Sequence, residues 1–479
     1  MKQAEEFTAI YRSGEEATIK VMLQQYKAVQ DLSLRVAELE QKLNKNSENS
    51  SKPPSSDGYK KPAPKNLRHK SGKKLGGQVG HAGKTLEMVE KADHKIEHWP
   101  TACSCCGERL KKADAIGHER RQVQDLPPIK LEVTEHHAMQ LKCMGCGKTT
   151  QGIFPEQVST SVQYGSGMKG LMTYLSTQHL LPMSRTVELL GDVVNSKPSE
   201  GTLMNTLSAA HEKLKGFEAM VKAGVIRSKV VHFDETGLRV VKSLHWLHVA
   251  STETLTHYGV DKQRGREAHG RIGILPVFKG TGVHDAYESY WGYQEMQHGL
   301  CNVHLARDLK GLQEMYPNQS WPESMRTLLF EIYAQVKTKK AVRTLALNAE
   351  VIQAYQIQYR ELVQVGLSVN PLPERIAGQR GRLKKGIARN LLERLRDHEN
   401  EVLRFMHDFN VPFENNQAER DIRMTKIKQK VSGCFRSLLG AEIFCRTRSY
   451  ISTLGKQGMD ILGALRSVFD GDPIMPSMP

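Results

Sequence analysis

The segment from Val230 to Val260 constrains the fold more than any other. Val230–Phe233, Trp246–Ala250 and Leu255–Val260 are short runs rich in strand formers with turn residues between them, which predicts an antiparallel meander. The first run leads into Asp234 in HFDETG, so a carboxylate is expected at a strand end. Glu235 competes for that role. Successive strand side chains point to opposite faces, so only one of the two reaches a shared site, and Asp234 is taken as that one.

Two further acids stand in comparable settings. Asp285, in VHDAYESY, follows the apolar stretch Ile274–Val283 and precedes the aromatic segment Tyr287–Tyr293. Glu419, in ENNQAERDIR, falls on a predicted helix whose Asn416, Glu419, Arg420 and Arg423 share one face. Asn416-X-X-Glu419 is also a capping-box pattern, in which the Glu only ties down the helix start. The two upstream aspartates and the basic flank favour a metal-ligand role. Three carboxylates can hold two Mg²⁺ or Mn²⁺ ions for an in-line displacement at phosphorus, with no protein base required. Hard oxygen donors suit these ions better than they suit zinc.

A net charge of +16 over 479 residues points to a polyanionic partner. No run approaches the roughly 18 apolar residues of a membrane helix. The N-terminal MKQAEEFTAIYRSGEEA lacks an apolar signal core, so the chain is expected in the cytoplasm, with no membrane partner.

Val29, Leu32, Val36, Leu39 and Leu43 follow a heptad seam, read as a dimer contact or as a helix packed on its own chain. The stretch NKNSENSSKPPSSDGYKKPAPK has no apolar period and predicts a basic linker able to lie along phosphates. Cys103-X-X-Cys106 and Cys143-X-X-Cys146 each precede a glycine, as two knuckles facing one structural zinc would. The long interval between the pairs suggests an inserted hairpin around Val123–Pro128 and Ile129–His136, with Cys105 outside the metal shell.

Residues 163 to 214 read as helices, and the break at Asn195–Pro198, with Ser199 as the next cap, resembles a helix-turn-helix. Far more chain separates Asp285 from Glu419 than one helix and one strand need, so roughly residues 310 to 405 read as a helical insertion. Arg382, Lys384 and Lys385 within it, and Arg420, Arg423, Lys426, Lys428 and Lys430 beyond, form candidate DNA-binding surfaces. Cys301 and His304, in HGLCNVHLARDL, are read as a strand-to-helix junction, with metal binding as the alternative.

At this point the chain resembles the insertion-sequence-66 family of bacterial DDE-type transposases over essentially its whole length. NSSKPPSSD, GGQVGHAGKTL, the paired cysteines, HFDETGLRV, LHVASTETLTHYGV, VHDAYESY, LCNVHLARDL, NNQAERDIR and KVSGCFRSLLGA carry the likeness. The resemblance implies a multidomain α+β protein with a ribonuclease-H-like α/β core, and Asp234, Asp285 and Glu419 as the catalytic, magnesium-binding triad. It also implies a homo-oligomer that meets terminal inverted repeats and target DNA, and accessory proteins encoded by the same element. Bound to DNA, the enzyme would be nucleoid-associated. A non-mobile nuclease and an inert DNA-binding regulator are the alternatives.

The expected organisation begins with a coiled-coil segment at 1–45, a basic linker at 46–85 and a zinc ribbon at 86–157. A helix-turn-helix-like DNA-binding domain at 158–222 precedes a catalytic core at 223–309 and 411–435. That core is split by the insertion at 310–410 and followed by a helical tail at 436–479.

Overall fold

The structure is a computed structural model describing residues 8–9, 11–44, 46, 49–50, 85–373, 383 and 385–478. Most of the basic linker, Arg382 and Lys384 lie outside the described residues. Among the described residues no helix is long and apolar enough to cross a membrane.

The chain opens with α1 (Glu15–Asn44), whose first turn carries Glu15 and Glu16 against the positive end of the helix dipole. Its seam residues Val29, Leu32, Val36, Leu39 and Leu43 are 47% to 85% exposed, so the chain leaves the seam open. Two short strands, β1 (Gln140–Lys142) and β2 (Thr149–Gln151), pair antiparallel around the second cysteine knuckle. An isolated bridge between Ala102 and Arg109 does the same at the first. The hairpin expected around Val123–His136 does not form; those residues carry no strand, and the pairing occurs at the knuckles themselves. No residue between 85 and 167 is buried.

A helical group follows. α2 (Ser166–Thr173) runs into a wide π-helical turn at Tyr174–Gln178, then α3 (Met183–Val194), α4 (Glu200–Lys213) and α5 (Lys215–Arg227). Asn195 ends α3 in the left-handed conformation, and the Ser199 side chain accepts the Thr202 N–H at 3.0 Å as the cap of α4.

The sheet comprises β3 (Val230–Val240), β4 (Ser243–Ser251), β5 (Thr256–Asp261), β6 (Thr281–His284) and β7 (Gln297–Leu300), with α6 (Arg266–Ile272) between β5 and β6. Its spatial order is β5-β4-β3-β6-β7. The first three strands form the antiparallel meander, and β6 and β7 run parallel to β3. Asp234 does not close β3: the strand continues six residues beyond it, because Thr236, Leu238 and Val240 extend the same alternation. Of the stretch Ile274–Val283, only Thr281–Val283 is strand, since Pro276 sits in a 3-10 turn at Leu275–Val277.

Helices then occupy the interval before Glu419: α7 (Asn302–Met315), α8 (Trp321–Ala341), α9 (Ala349–Val369), α10 (Ile387–Asp397) and α11 (Glu399–His407). They share a core built on Leu309, Trp321, Leu329, Tyr359, Leu392 and Leu403, which reaches the sheet at Leu300. The chain returns through α12 (Asn416–Ser432), α13 (Leu438–Lys456) and α14 (Ile461–Asp470).

The two sheet faces have separate cores. Val231 and Phe233 pack on Phe217, Val221 and Val225 of α5 and on Leu465 and Val468 of α14. Leu238, Val240, Leu247 and Val249 pack on Ala418 and Ile422 of α12 and Phe444 of α13. The segment expected as a tail is therefore part of the core. Along the outer strand β5, the Thr256 N–H donates to Thr453 Oγ1 and the Tyr258 N–H to Ser449 Oγ, both at 3.0 Å and both on α13.

Candidate metal centre

Strand alternation separates Asp234 from Glu235. Asp234 pairs across the strands with Val249, on the face covered by α12. Glu235 points the other way, where Arg264 Nη2 lies 2.7 Å from Oε1 and the Tyr290 hydroxyl donates to Oε2 at 2.5 Å. The Arg264 guanidinium is stacked over Tyr287 at 3.8 Å and Trp246 at 4.9 Å. Glu235 is thus engaged by its own partners, and Asp234 alone of the pair faces α12.

Asp285 follows β6. The parallel register aligns His232 with Val283, where the pairing of the two strands ends, and the Asp285 charge acts on Asp234. The Tyr287 N–H donates to Asp285 Oδ1 at 3.0 Å, fixing the carboxylate. Ala286, between them, has a φ of 68°, a conformation costly for a residue with a Cβ and typical of functional sites.

Glu419 lies in the first turn of α12. The helix cap is Asn415, not Asn416, and its side chain makes no capping bond, so the capping box does not form. Instead Asn415 Oδ1 lies 2.8 Å from His232 Nδ1, its side-chain amide donates to the Phe233 carbonyl at 2.8 Å, and its backbone N–H donates to Cys301 Sγ at 3.2 Å. These bonds hold the start of α12 on the strand that carries Asp234. Glu419 Oε1 is buried with no hydrogen-bond partner.

Burial raises the Asp234 carboxyl well above its ordinary range, and the charges of Glu235, Asp285 and Glu419 raise it further. These acids are partly offset, since Lys426 interacts with Asp234 and Arg264 with Asp285, and the Asp234, Asp285 and Glu419 oxygens do not lie within 4.8 Å of one another. Carboxylate oxygens are the donors that hard divalent cations prefer, and the buried Glu419 Oε1 has no hydrogen-bond partner, with His304 Nε2 3.8 Å away.

The basic residues divide by placement. Arg420, Arg423 and Lys430 are exposed. Lys426 donates to the Gly237 carbonyl at 2.8 Å, and burial lowers both it and Lys428. Lys385 is paired with Glu393, which also takes Arg389 at 3.1 Å. Lys385 and Lys426 are therefore at least partly engaged within the protein, and Lys428 is partly buried.

Cys301 and His304 sit at the junction of β7 and α7, Cys301 buried as the residue before the helix. The four ribbon cysteines form two alike knuckles. The Gly107 N–H donates to the Cys103 carbonyl at 3.0 Å and the Gly147 N–H to that of Cys143 at 2.8 Å, and both glycines have positive φ. Backbone N–H groups, those of Cys106 and Cys146 foremost, lower the Cys103 and Cys143 thiols, as preparation for thiolate ligands requires. The four sulfurs are not brought together in a set of three or more ligand atoms within 4.8 Å.

The sequence reading missed Asn415 and the Glu235–Arg264–Tyr290 network. Their only local signal was the asparagine pair before α12 and the acid beside Asp234.

Comparison with protein families gives three matches. A family of unknown function matches residues 7–87. The zinc-finger binding domain of transposase IS66 matches residues 100–147, which include all four ribbon cysteines. No curated protein matches the chain. The transposase IS66 family matches residues 161–443, more than half of the chain and all three candidate carboxylates, and the chain therefore belongs to the IS66 family of transposases.

Proposed function

We propose that this chain binds the terminal inverted repeats of an insertion sequence, hydrolyses strands at those ends and joins the resulting 3′ hydroxyls to target DNA. The observation that supports the reading is electrostatic: burial and the charges of Glu235, Asp285 and Glu419 raise the Asp234 carboxyl, so the three acids are neighbours even though their oxygens do not lie within 4.8 Å of one another. A central strand flanked by an antiparallel meander on one side and two parallel strands on the other supports a ribonuclease-H-like core.

In this reading Asp234, Asp285 and Glu419 hold Mg²⁺ or Mn²⁺, two ions per site. When bound, such ions activate the attacking oxygen and stabilise the leaving oxygen of the phosphodiester. The protein's own groups supply positioning. Asn415 fixes the Glu419 helix against the Asp234 strand, and Ala286 holds the backbone that presents Asp285. Exposed Arg420, Arg423 and Lys430 receive DNA phosphates, joined by Arg382, Lys384 and the partly buried Lys428, and by Lys385 and Lys426 where their pairings yield to DNA. The ribbon cysteines hold one structural zinc. The helix pair α3 and α4 reads the ends, and the open seam of α1 joins copies into a homo-oligomer in the cytoplasm.

The test is cleavage and joining of end-bearing DNA with Mg²⁺ by the wild type and by Asp234→Asn, Asp285→Asn and Glu419→Gln. Loss of both reactions with end binding retained is expected. Cutting without joining identifies a nuclease, binding without either reaction identifies an inert regulator, and substantial cleavage by Glu419→Gln removes that residue from the centre.

A further inference from the structure

Beside the carboxylate centre lies a second cluster of different chemistry. Cys301 precedes α7, His304 is the third residue of that helix, and Glu419 reaches across from the first turn of α12. The Cys301 sulfur, a ring nitrogen of His304 and a carboxylate oxygen of Glu419 all lie within 4.8 Å of one another. His304 Nε2 is 3.8 Å from Glu419 Oε1. His304 Nδ1 and Glu419 Oε1 are both buried with no hydrogen-bond partner, a costly state for two polar atoms. Three ligating side chains from two elements converge, and the Glu419 oxygen among them lacks a hydrogen-bond partner, whose place a cation would take.

The donor set selects the class of cation. Mg²⁺ prefers oxygen, whereas sulfur, imidazole and carboxylate together suit Zn²⁺ and its borderline relatives. Zinc–ligand bonds of about 2.0 to 2.3 Å would draw the three atoms slightly closer than they stand. Cys301 Sγ already accepts the Asn415 N–H at 3.2 Å, a bond that orients the sulfur. Zinc removes the proton from a coordinating thiol outright. The S–H proton then passes to solvent as the sulfur–metal bond forms.

We propose that Cys301, His304 and Glu419 form a second metal site, specific for a borderline divalent cation of the zinc class, whose filling withdraws Glu419 from the carboxylate centre and inhibits cleavage. The inhibitory part rests on the proposed role of Glu419 in DNA cleavage. The metal site itself does not. Both sites draw on the one Glu419 side chain, so a cation held by Cys301 and His304 competes with the carboxylate centre for it. Zinc here is a competitor of catalysis, in contrast to the structural zinc of the ribbon.

The experiment uses the full chain with its ribbon already loaded with zinc. Equilibrium dialysis against Zn²⁺ should show a further zinc in the wild type that is absent from Cys301→Ser and from His304→Gln. Titration with Co²⁺ should give a thiolate-to-cobalt absorption band that Cys301→Ser lacks. His304→Gln serves as the second variant should the serine variant fail to fold. Zn²⁺ added in the presence of Mg²⁺ should lower wild-type cleavage by more than tenfold, and the ratio with and without zinc should approach one in Cys301→Ser. Equal zinc content in wild type and both variants overturns the proposal, and so does a further zinc that leaves cleavage unaffected. Mg²⁺-dependent cleavage by Glu419→Gln instead overturns the reading of the carboxylate centre. The two failures are distinguishable because bound zinc is counted without any cleavage.

Discussion

His232 Nδ1 and Asn415 Oδ1, far apart in the chain, lie 2.8 Å from each other at the junction of the central strand and the helix that bears Glu419. Both residues are buried, and Asn415 also serves the Phe233 carbonyl and Cys301 Sγ. Replacing Asn415 with Ala leaves buried polar groups on His232 and Phe233 unpaired, at about 1–3 kcal/mol each. A shift of the α12 start by about 1 Å is enough to cost roughly a hundredfold in rate. Asn415→Ala should therefore lower the chemical-denaturation midpoint and cut strand cleavage steeply, while end binding by the N-terminal part persists. Wild-type cleavage by this variant would show that Asn415 does not position Glu419.

Asp234 and Glu235 are neighbours whose carboxyls are both raised by burial and nearby acids, but only Glu235 has compensating partners, the Tyr290 hydroxyl and Arg264. In metal-free buffer, Asp234→Asn should keep or raise the thermal midpoint and abolish cleavage. Glu235→Gln should lower it, by about 1–3 kcal/mol in stability, since it breaks a largely buried ion pair whose arginine is partly solvated. Paired melting curves and cleavage assays decide the matter; an equal loss of stability in both variants would contradict the assignment.

His257 is buried on β5, and burial, with Lys222 and Arg446 nearby, lowers it from 6.5 to about 4. Its folded value lies below its unfolded one, so the unfolded chain binds the proton more readily. The stability that neutral His257 contributes is complete above pH 6.5 and declines as pH falls toward 4. A shift of this size corresponds to about 3 kcal/mol. Unfolding free energies measured from pH 7 to pH 4 should fall, and His257→Gln should flatten that fall.

The ribbon should depend wholly on its metal. With no buried residue between 85 and 167, apolar burial cannot order the two knuckles, and zinc binding supplies the folding energy. Chelation should release one zinc per chain and make residues 100–151 sensitive to protease, while the sheet and its helices stay resistant. Cys143→Ser should mimic chelation. A protease-resistant, metal-free ribbon would contradict this.

What the sequence disclosed follows the range of the interactions involved. The meander was readable because Val231, Phe233, Leu247 and Val249 alternate locally, and Ser199 because capping is a local bond. Strand alternation sufficed to put Asp234 and Glu235 on opposite faces, but not to say which face carries the site. The extension of β3 past Asp234 was hidden by Gly237 and Arg239, which interrupt its apolar character. The ribbon hairpin was misplaced because strand-forming residues such as Val123 and Val133 suggested pairing where none occurs. Asn415, Arg264 and Tyr290 were illegible, since each owes its role to partners that only the folded topology brings near. The same holds for the α13 helix, whose Ser449 and Thr453 carry no local sign that they bond a strand.

Those two hydroxyls have a consequence for solubility. An outer strand normally presents unpaired N–H and C=O groups on which another chain can build a sheet. On β5 the Thr256 and Tyr258 amides are already taken by Thr453 and Ser449, so α13 acts as a surrogate neighbouring strand that cannot propagate pairing. A chain ending before Leu438 would expose this edge, and its characteristic failure would be aggregation through β5 before any question of catalysis arose.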